Sequence, residues 1–292
     1  LRSTSLTGRE NTALGRSTMQ YARSARGGTA VGYLAMGTGV TTGNYNTTIG
    51  FESLASATTS TQLVAVGRHA VYSNSTGTQN TALGYSALYA NTTGDSNTAA
   101  GYFALGSNTT GGNNTAYGRD SLYNNTTADN NTAIGHYASR ANTTGTQNTS
   151  VGSYAADSIT TGSYNVALGV NALGTTTGSD KNVAIGVQAL YSLTTGDYSV
   201  GVGYRALNDQ TTGSQNTAIG GDASYNITTG SSNCSMGYNS LGTCVTGSQN
   251  TALGHSALMS YTGSYNAAVG FAALDACTTG SSNTAMGHNA RS

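Results

Sequence analysis

A glycine recurs at an almost constant interval along the 292-residue chain, and this period constrains the fold more than any other feature. Most of these anchor glycines close a short motif of asparagine, a β-branched residue, a small residue and an apolar residue, as in residues 80–84. The step is 17 residues, apart from one step of 18 and one of 16. Self-similarity at a fixed period indicates a repeat architecture. The 17 anchor glycines are Gly15, Gly32, Gly50, Gly67, Gly84, Gly101, Gly118, Gly135, Gly152, Gly169, Gly186, Gly203, Gly220, Gly237, Gly254, Gly270 and Gly287.

The motif before each anchor glycine predicts a short β-strand. The residues one and three places before the glycine are apolar or β-branched, and they share one face of a strand. The other face carries the asparagine and usually an alanine, so it is small, flat and uncharged. We expect the anchor glycine to end the strand, because glycine permits the positive φ or the close backbone approach that a corner requires. An Ala-Leu pair and a Thr-Thr-Gly turn complete the repeat, as at Ala87, Leu88 and Gly94.

One repeat is too small to hide an apolar face, whereas stacked coils can pair their backbones with one another. We therefore predict an all-β fold, a parallel β-solenoid (β-roll) of about 17 coils with a 17-residue repeat. The prediction is a single continuous domain over residues 1–292, part of a longer fibre or filament. The flat Asn/Ala face suits packing against another chain or against another wall of the same coil, and the sequence leaves both open.

Two sets of residues are predicted to have structural roles. Stacked asparagines can hydrogen-bond from coil to coil, as in cross-β ladders, and the alternative is a ligand or ion track. The predicted asparagine ladder includes Asn80, Asn97, Asn114, Asn131, Asn148, Asn165 and Asn182. The predicted corner glycines include Gly84, Gly101, Gly118, Gly135, Gly152, Gly169 and Gly186.

Composition and motifs argue against several classes of function. The 11 basic and 11 acidic residues balance, and no basic stripe of the kind that binds nucleic acid is present. No run approaches the roughly 18 apolar residues of a membrane span. The G-x-S-x-G, H-E-x-x-H and P-loop motifs are absent, so we predict no enzyme activity and no cofactor. His255 and His288 are two coils apart, about 9–10 Å, so no metal site is predicted.

Cysteine, tyrosine and sequon positions leave alternatives open. Three cysteines without a CxxC pair do not indicate a disulfide framework. The 19 tyrosines, against three phenylalanines, are either platforms for sugars or ladders that shield the solenoid. Sequons at the expected exposed Thr-Thr-Gly turn are candidate glycosylation sites, although asparagine and threonine are also ordinary turn residues. These sequons include Asn91, Asn108, Asn142 and Asn226.

The motifs at residues 131–135 (N-T-A-I-G) and 165–169 (N-V-A-L-G) resemble head repeats of YadA-type trimeric autotransporter adhesins. They are also similar to related repeats in phage tail fibres. The resemblance covers essentially the whole chain, although the present repeat is longer by an inserted Ala-Leu and Thr-Thr-Gly segment. It implies a parallel β-roll with three chains side by side, displayed outside the cell for attachment.

We therefore expect a non-enzymatic structural protein that forms the rigid shaft of an extracellular filament or fibre. Its expected partner is itself, either in a lateral trimer or in an end-to-end filament. The alternative is an adhesin or phage tail-fibre segment that binds a cell-surface glycan or receptor. The expected location is extracellular, at the cell surface or in a virion fibre. A third hypothesis, ice or mineral binding by a flat threonine array, is disfavoured because the threonines alternate with bulky residues.

Overall fold

The computed structural model describes residues 7–39, 42–275 and 279–291, and none of these residues lies in a helix. The chain divides into two compact units, Leu1–Thr146 and Gln147–Ser292. In the described part of the first unit the strands are β1 (Thr12–Leu14), β2 (Thr29–Val31), β3 (Thr47–Ile49), β4 (Val64–Val66), β5 (Thr81–Leu83), β6 (Thr98–Ala100), β7 (Thr115–Tyr117) and β8 (Thr132–Ile134). In the second unit they are β9 (Thr149–Val151), β10 (Val166–Leu168), β11 (Val183–Ile185), β12 (Val200–Val202), β13 (Thr217–Ile219), β14 (Cys234–Met236), β15 (Thr251–Leu253), β16 (Ala267–Val269) and β17 (Thr284–Met286).

Consecutive strands within each unit pair in parallel, and identical motif positions lie opposite one another. In the first unit, Thr81 pairs with Thr98 and Ala82 with Ala99. The longer step before β3 and the shorter step before β16 leave this register intact, so the length changes lie outside the strands. The prediction of an all-β parallel β-solenoid with a 17-residue repeat is confirmed. The single domain over residues 1–292 stays a prediction.

Hydrogen bonds join neighbouring coils along most of each repeat, well beyond the three strand residues. The strand, the segment after the anchor glycine and the Thr-Thr-Gly turn all contribute backbone bonds. Examples are Thr81 N to Asn97 O (2.8 Å), Ser86 N to Arg68 O (2.9 Å), Leu88 N to Ala104 O (2.9 Å) and Thr92 N to Thr109 O (2.8 Å). Each coil is therefore a hydrogen-bonding template for the next, and the connecting segments are as firmly paired as the strands.

Three non-glycine positions of the repeat adopt left-handed backbone, which the sequence did not indicate. They lie two and four residues after the anchor glycine and five residues before it, with φ between 48° and 63°. Ser86 and Leu88 show the consequence, since the first pairs with the preceding coil and the second with the following coil. Left-handed geometry costs about 1 kcal/mol for each such residue. The hydrogen bonds to both neighbouring coils and the burial of leucine offset this cost.

The interior of the coil is narrow and is filled mainly by small side chains. Ala82, Ala87 and Leu88 are fully buried, and the same three positions are buried in most other coils. The bulkier face of the strand points outward instead, with Leu83 44% exposed and Ile134 40% exposed. The Asn/Ala face thus packs inside its own coil, and the alternative that it packs against another chain is wrong. Stacking therefore buries the small Asn/Ala face together with the leucine four residues after the anchor glycine, and leaves the bulkier face of the strand partly exposed.

The anchor glycines permit a direct test of this close stacking. Gly220 has φ of +136°, and a Cβ there would lie 2.6 Å from the carbonyl oxygen of Gly237 in the next coil. We expect Gly220→Ala to lower the free energy of unfolding by about 3 kcal/mol, from backbone strain and overpacking. The adjacent Gly221→Ala is the control, because its Cβ would meet nothing closer than the Tyr238 ring at 3.4 Å. Equal urea midpoints for the two variants would refute the close contact.

Candidate functional site

The asparagines four residues before the anchor glycine form a buried column, named here the inner asparagine column. All seven predicted ladder residues, from Asn80 to Asn182, are at most 2% exposed. Asn97 shows the geometry: its backbone N donates to Asn80 Oδ1 at 2.8 Å, and its Nδ2 donates to Gly111 O at 2.8 Å. Asn97 Oδ1 in turn accepts a hydrogen bond from Asn114 N at 3.0 Å. Each such side chain therefore connects its strand to the strand and the turn of the following coil. Because backbone groups occupy these amides away from solvent, an ion or ligand track along the column does not fit.

A second asparagine column lies seven residues after the anchor glycine, and the sequence analysis did not identify it. Its members, all in the first unit and all buried, are Asn74, Asn91, Asn108, Asn125 and Asn142. Their amides bond directly, from Asn91 Nδ2 to Asn74 Oδ1 at 2.7 Å through Asn142 Nδ2 to Asn125 Oδ1 at 2.9 Å. Each Nδ2 also donates to the carbonyl three residues later. The recurrence of asparagine at one repeat position was the sequence signal for this column. It is ambiguous, because asparagine is also an ordinary turn residue.

This second asparagine column corrects the glycosylation prediction. Asn91, Asn108 and Asn142 were expected at an exposed turn, but all three are buried, so that expectation is wrong. They turn inward because the turn carbonyls and the neighbouring amides need hydrogen-bond partners. Asn226 is half-buried, and its Nδ2 donates to Gly242 O at 2.8 Å. The folded chain therefore does not present these amides as free acceptors for a glycan.

In the second unit, the same repeat position is occupied mostly by apolar side chains. Ile159, Leu193 and Ile227 are fully buried there, as are Cys244 and Tyr261. Burial raises the pKa of the Cys244 thiol, which disfavours the reactive thiolate at neutral pH. Cys277 occupies the same position but lies outside the described residues.

Carboxylates and hydroxyls six residues before the anchor glycine cap the backbone of the preceding coil. Asp129 Oδ1 accepts a hydrogen bond from Gly112 N at 2.6 Å, and Asp180 Oδ1 accepts one from Ser163 N at 2.7 Å. Serines continue this role in the second unit, where Ser248 Oγ accepts from Ser231 N at 3.0 Å. Within residues 7–39, 42–275 and 279–291, no group of three or more His, Cys, Asp or Glu side chains could hold a metal ion. The acidic side chains support turns.

The outward face of each unit consists of two uncharged columns. The outer β-branched column, three residues before the anchor glycine, carries Thr or Val except at Cys234 and Ala267. The outer apolar column, one residue before it, carries Leu, Ile, Val, Met, Tyr or Ala in every repeat. Interior strands still expose much of this second column, 44% at Leu83 and 48% at Met236. Each unit therefore presents an apolar stripe to solvent.

The residue directly after the anchor glycine forms the flank column, where aromatic rings stack on one another. The Tyr33 and Phe51 ring centroids lie 5.1 Å apart, and those of Tyr85 and Tyr102 lie 5.2 Å apart. Such stacking covers ring faces and leaves ring edges outward. Because a sugar stacks on an open ring face, the geometry favours shielding ladders over sugar platforms in this column.

No protein-family model matches the chain, and no curated protein matches it. The resemblance to YadA-type head repeats and phage tail-fibre repeats therefore stays a prediction. Among the described residues, no helix is long and apolar enough to cross a membrane.

The second asparagine column predicts a large effect of one buried amide. Replacing Asn108 with alanine leaves Asn91 Oδ1 buried without its donor and removes one bond each from Asn125 and Gly111. We expect Asn108→Ala to lower the free energy of unfolding by about 2–3 kcal/mol. Asn124→Ala, at a half-buried position in the next coil, is the matched control and should cost less than about 0.5 kcal/mol. Chemical denaturation measures both values, and similar losses would contradict the assigned role.

Thr48 allows a test in which a substitution is expected to stabilise the fold. It occupies a position where most coils have alanine, and its buried Oγ1 has no hydrogen-bond partner. Thr48→Val keeps the shape and removes the unsatisfied hydroxyl, so we expect about 1 kcal/mol of added stability. Ser235 occupies the same position in another coil, and its Oγ lies 2.8 Å from Ser224 Oγ. Ser235→Ala should therefore destabilise the fold, and thermal melts of the two variants should shift in opposite directions.

Proposed function

We propose that this chain is a non-enzymatic structural repeat protein that forms the rigid shaft of an extracellular filament or fibre. The observation that supports this proposal most is the outward apolar stripe on each unit. Large contiguous apolar patches are rare on soluble monomers and usually mark interaction surfaces. In each unit the stripe recurs with every coil, so it suits an extended partner better than a small ligand.

A second copy of the chain is the partner that fits this stripe best. Its side chains repeat at the spacing of stacked strands, about 4.8 Å. Another copy offers the same spacing, so ridges of one outer apolar column can pack between those of the other, as in face-to-face sheet packing. Neither outer column carries a charge, so contact between two copies removes no charged group from water. Lateral association is thus favoured. The resemblance to YadA-type head repeats implies that three chains associate.

The interior supports a mechanical role for each unit. Neighbouring coils are joined by backbone hydrogen bonds around most of the repeat, and the inner asparagine column adds side-chain bonds to the same backbone. Satisfied polar networks in a low-dielectric interior rigidify a structure. A stiff element with an adhesive side is what a fibre shaft requires.

The alternative proposal, an adhesin or tail-fibre segment that binds a surface glycan or receptor, has narrower support. Tyr45, Tyr164, Tyr198 and Tyr265 lie five residues before their anchor glycines and are 54–63% exposed. Tyr198 also accepts a hydrogen bond from Lys181 Nζ at 2.7 Å. These scattered tyrosines suit local contacts with a receptor, whereas the apolar stripe recurs in every coil.

Charge placed in the outer apolar column tests the fibre proposal. We expect Val66→Lys/Leu83→Lys to prevent association, because two ammonium groups would have to be desolvated at the interface. Light scattering should show the multimer falling to monomer mass at concentrations where the unaltered chain associates. Electron microscopy should show the loss of fibres.

The matched control is Gln62→Lys/Gln79→Lys, which adds the same charge in the same two coils at exposed positions five residues before the anchor glycines. Lysine occurs naturally at this repeat position as Lys181. The control should assemble like the unaltered chain. A monomeric unaltered chain, or equal assembly of both double variants, would refute association through this stripe.

A further inference from the structure

The flank column differs between the two units in a way that points to a ligand. In the first unit every member is aromatic or basic: Arg16, Tyr33, Phe51, Arg68, Tyr85, Tyr102, Arg119 and His136. In the second unit the column contains no arginine and includes Ser153, Val170, Val187 and Gly221. The first unit also has eight basic and five acidic residues, against three and six in the second. The excess positive charge therefore belongs to the unit with the arginine–aromatic column.

The arginines of this column are held by ring faces. The Arg68 guanidinium carbon lies 5.4 Å from the Phe51 ring centroid and 5.7 Å from that of Tyr85. Arg119 lies 5.6 Å from the Tyr102 centroid, and Arg16 lies 5.9 Å from that of Tyr33. A guanidinium over a ring is stabilised by a cation–π interaction while its in-plane N–H groups remain available for hydrogen bonds. Those groups form a fork that matches the two oxygens of a carboxylate or sulfate.

These guanidinium groups are accessible and only partly neutralised. Arg16, Arg68 and Arg119 are all exposed. Arg119 pairs with Asp120 at 3.1 Å, whereas the ion pairs found in the described parts of the chain do not involve Arg16 or Arg68. The two unpaired arginines are prepositioned by their rings, so an anion that binds them loses little side-chain entropy.

We propose that the flank column of the first unit binds an acidic polysaccharide through its carboxylate or sulfate groups. Successive arginines are three coils apart, about 14 Å at the usual strand spacing, so no small anion can bridge two of them. A ligand that uses the whole column must be a chain with repeated acidic groups. The hydroxyls of Tyr33, Tyr85 and Tyr102 can donate to and accept from sugar hydroxyls between these anchors.

Nucleic acid fits this column less well. Single-strand binding uses open aromatic faces on which bases stack. Here the faces of Tyr85 and Tyr102 are covered by each other and by Arg68 and Arg119. The proposal goes beyond the fibre shaft and uses a different surface, since the flank column is separate from the outer apolar column.

Binding of the full chain to immobilised heparin, which is sulfated, and to polygalacturonate, which is carboxylated, tests the proposal. Dextran is the neutral polysaccharide, and poly(dT) is the nucleic acid. We expect binding to one or both acidic polysaccharides, none to dextran, and weaker binding to poly(dT). No binding to either acidic polysaccharide, or tighter binding to poly(dT) than to both, would overturn the proposal.

Two triple variants with the same change in net charge locate the site. Arg16→Gln/Arg68→Gln/Arg119→Gln should weaken binding at least tenfold, because it removes the stacked guanidinium groups. Arg9→Gln/Arg23→Gln/Arg291→Gln, at exposed positions outside the flank column, should change affinity less than twofold. Arg16→Lys/Arg68→Lys/Arg119→Lys keeps the charge but loses the planar fork, so we expect an intermediate loss. Equal losses in the two glutamine variants would indicate diffuse charge and refute the assigned column.

Light scattering on the same variants separates this proposal from the fibre proposal. All three triple variants should associate like the unaltered chain and melt within a few degrees of it. A flank-column glutamine variant that loses polysaccharide binding while it still associates supports the assigned site independently of the fibre. If the glutamine variant unfolds, the lysine variant provides the test instead. It keeps the positive charge, so a loss of polysaccharide affinity in this variant, measured while it remains folded, is due to the loss of the planar guanidinium groups.

Discussion

The backbone hydrogen bonding between adjacent coils is the constraint on which the rest of the structure depends. Because most of each repeat pairs with its neighbours, the coils must stay at strand spacing even at corners and turns. A Cβ cannot be accommodated at anchor glycines such as Gly220, where the carbonyl of the next coil would lie 2.6 Å away. The same demand imposes left-handed backbone on ordinary residues such as Leu88. Their conformational cost is offset because each bonds to a neighbouring coil, as Leu88 N does to Ala104 O.

The narrow interior follows from the same constraint. Walls that close within 17 residues enclose mainly alanine, leucine and asparagine, while the bulkier face of the strand points outward. The buried asparagines are compatible with this core because backbone and side-chain partners satisfy most of their amide groups, Asn142 Oδ1 being an exception. In the second unit, Ile159 and Leu193 occupy the position of the second asparagine column, so either chemistry fills the space. In the described residues, the interior is consequently a set of packed structural columns.

Function is therefore assigned to the outside of the coil, where two adjacent surfaces differ in character. The outer apolar column is uncharged in both units and suits association with another copy. The flank column contains arginines in the first unit alone, and their guanidinium groups lie over aromatic rings. A solenoid can thus combine an assembly surface with a ligand surface, because each repeat position generates its own column. The two proposed roles occupy separate columns and depend on different forces, dehydration in one and charge-assisted hydrogen bonding in the other.

The sequence by itself determined the repeat, the parallel in-register pairing and the anchor glycines, because a strict period with few substitutions leaves one way to stack. It also placed the inner asparagine column in its repeat register. Only the tertiary structure decided which face of the strand is inside. Hydrophobicity alone would bury Leu83 in preference to Asn97, but the structure buries Asn97, whose side-chain amide bonds to backbone groups of the following coil. For the same reason Asn91 and Asn108 appeared to be turn residues until the neighbouring coils supplied their partners.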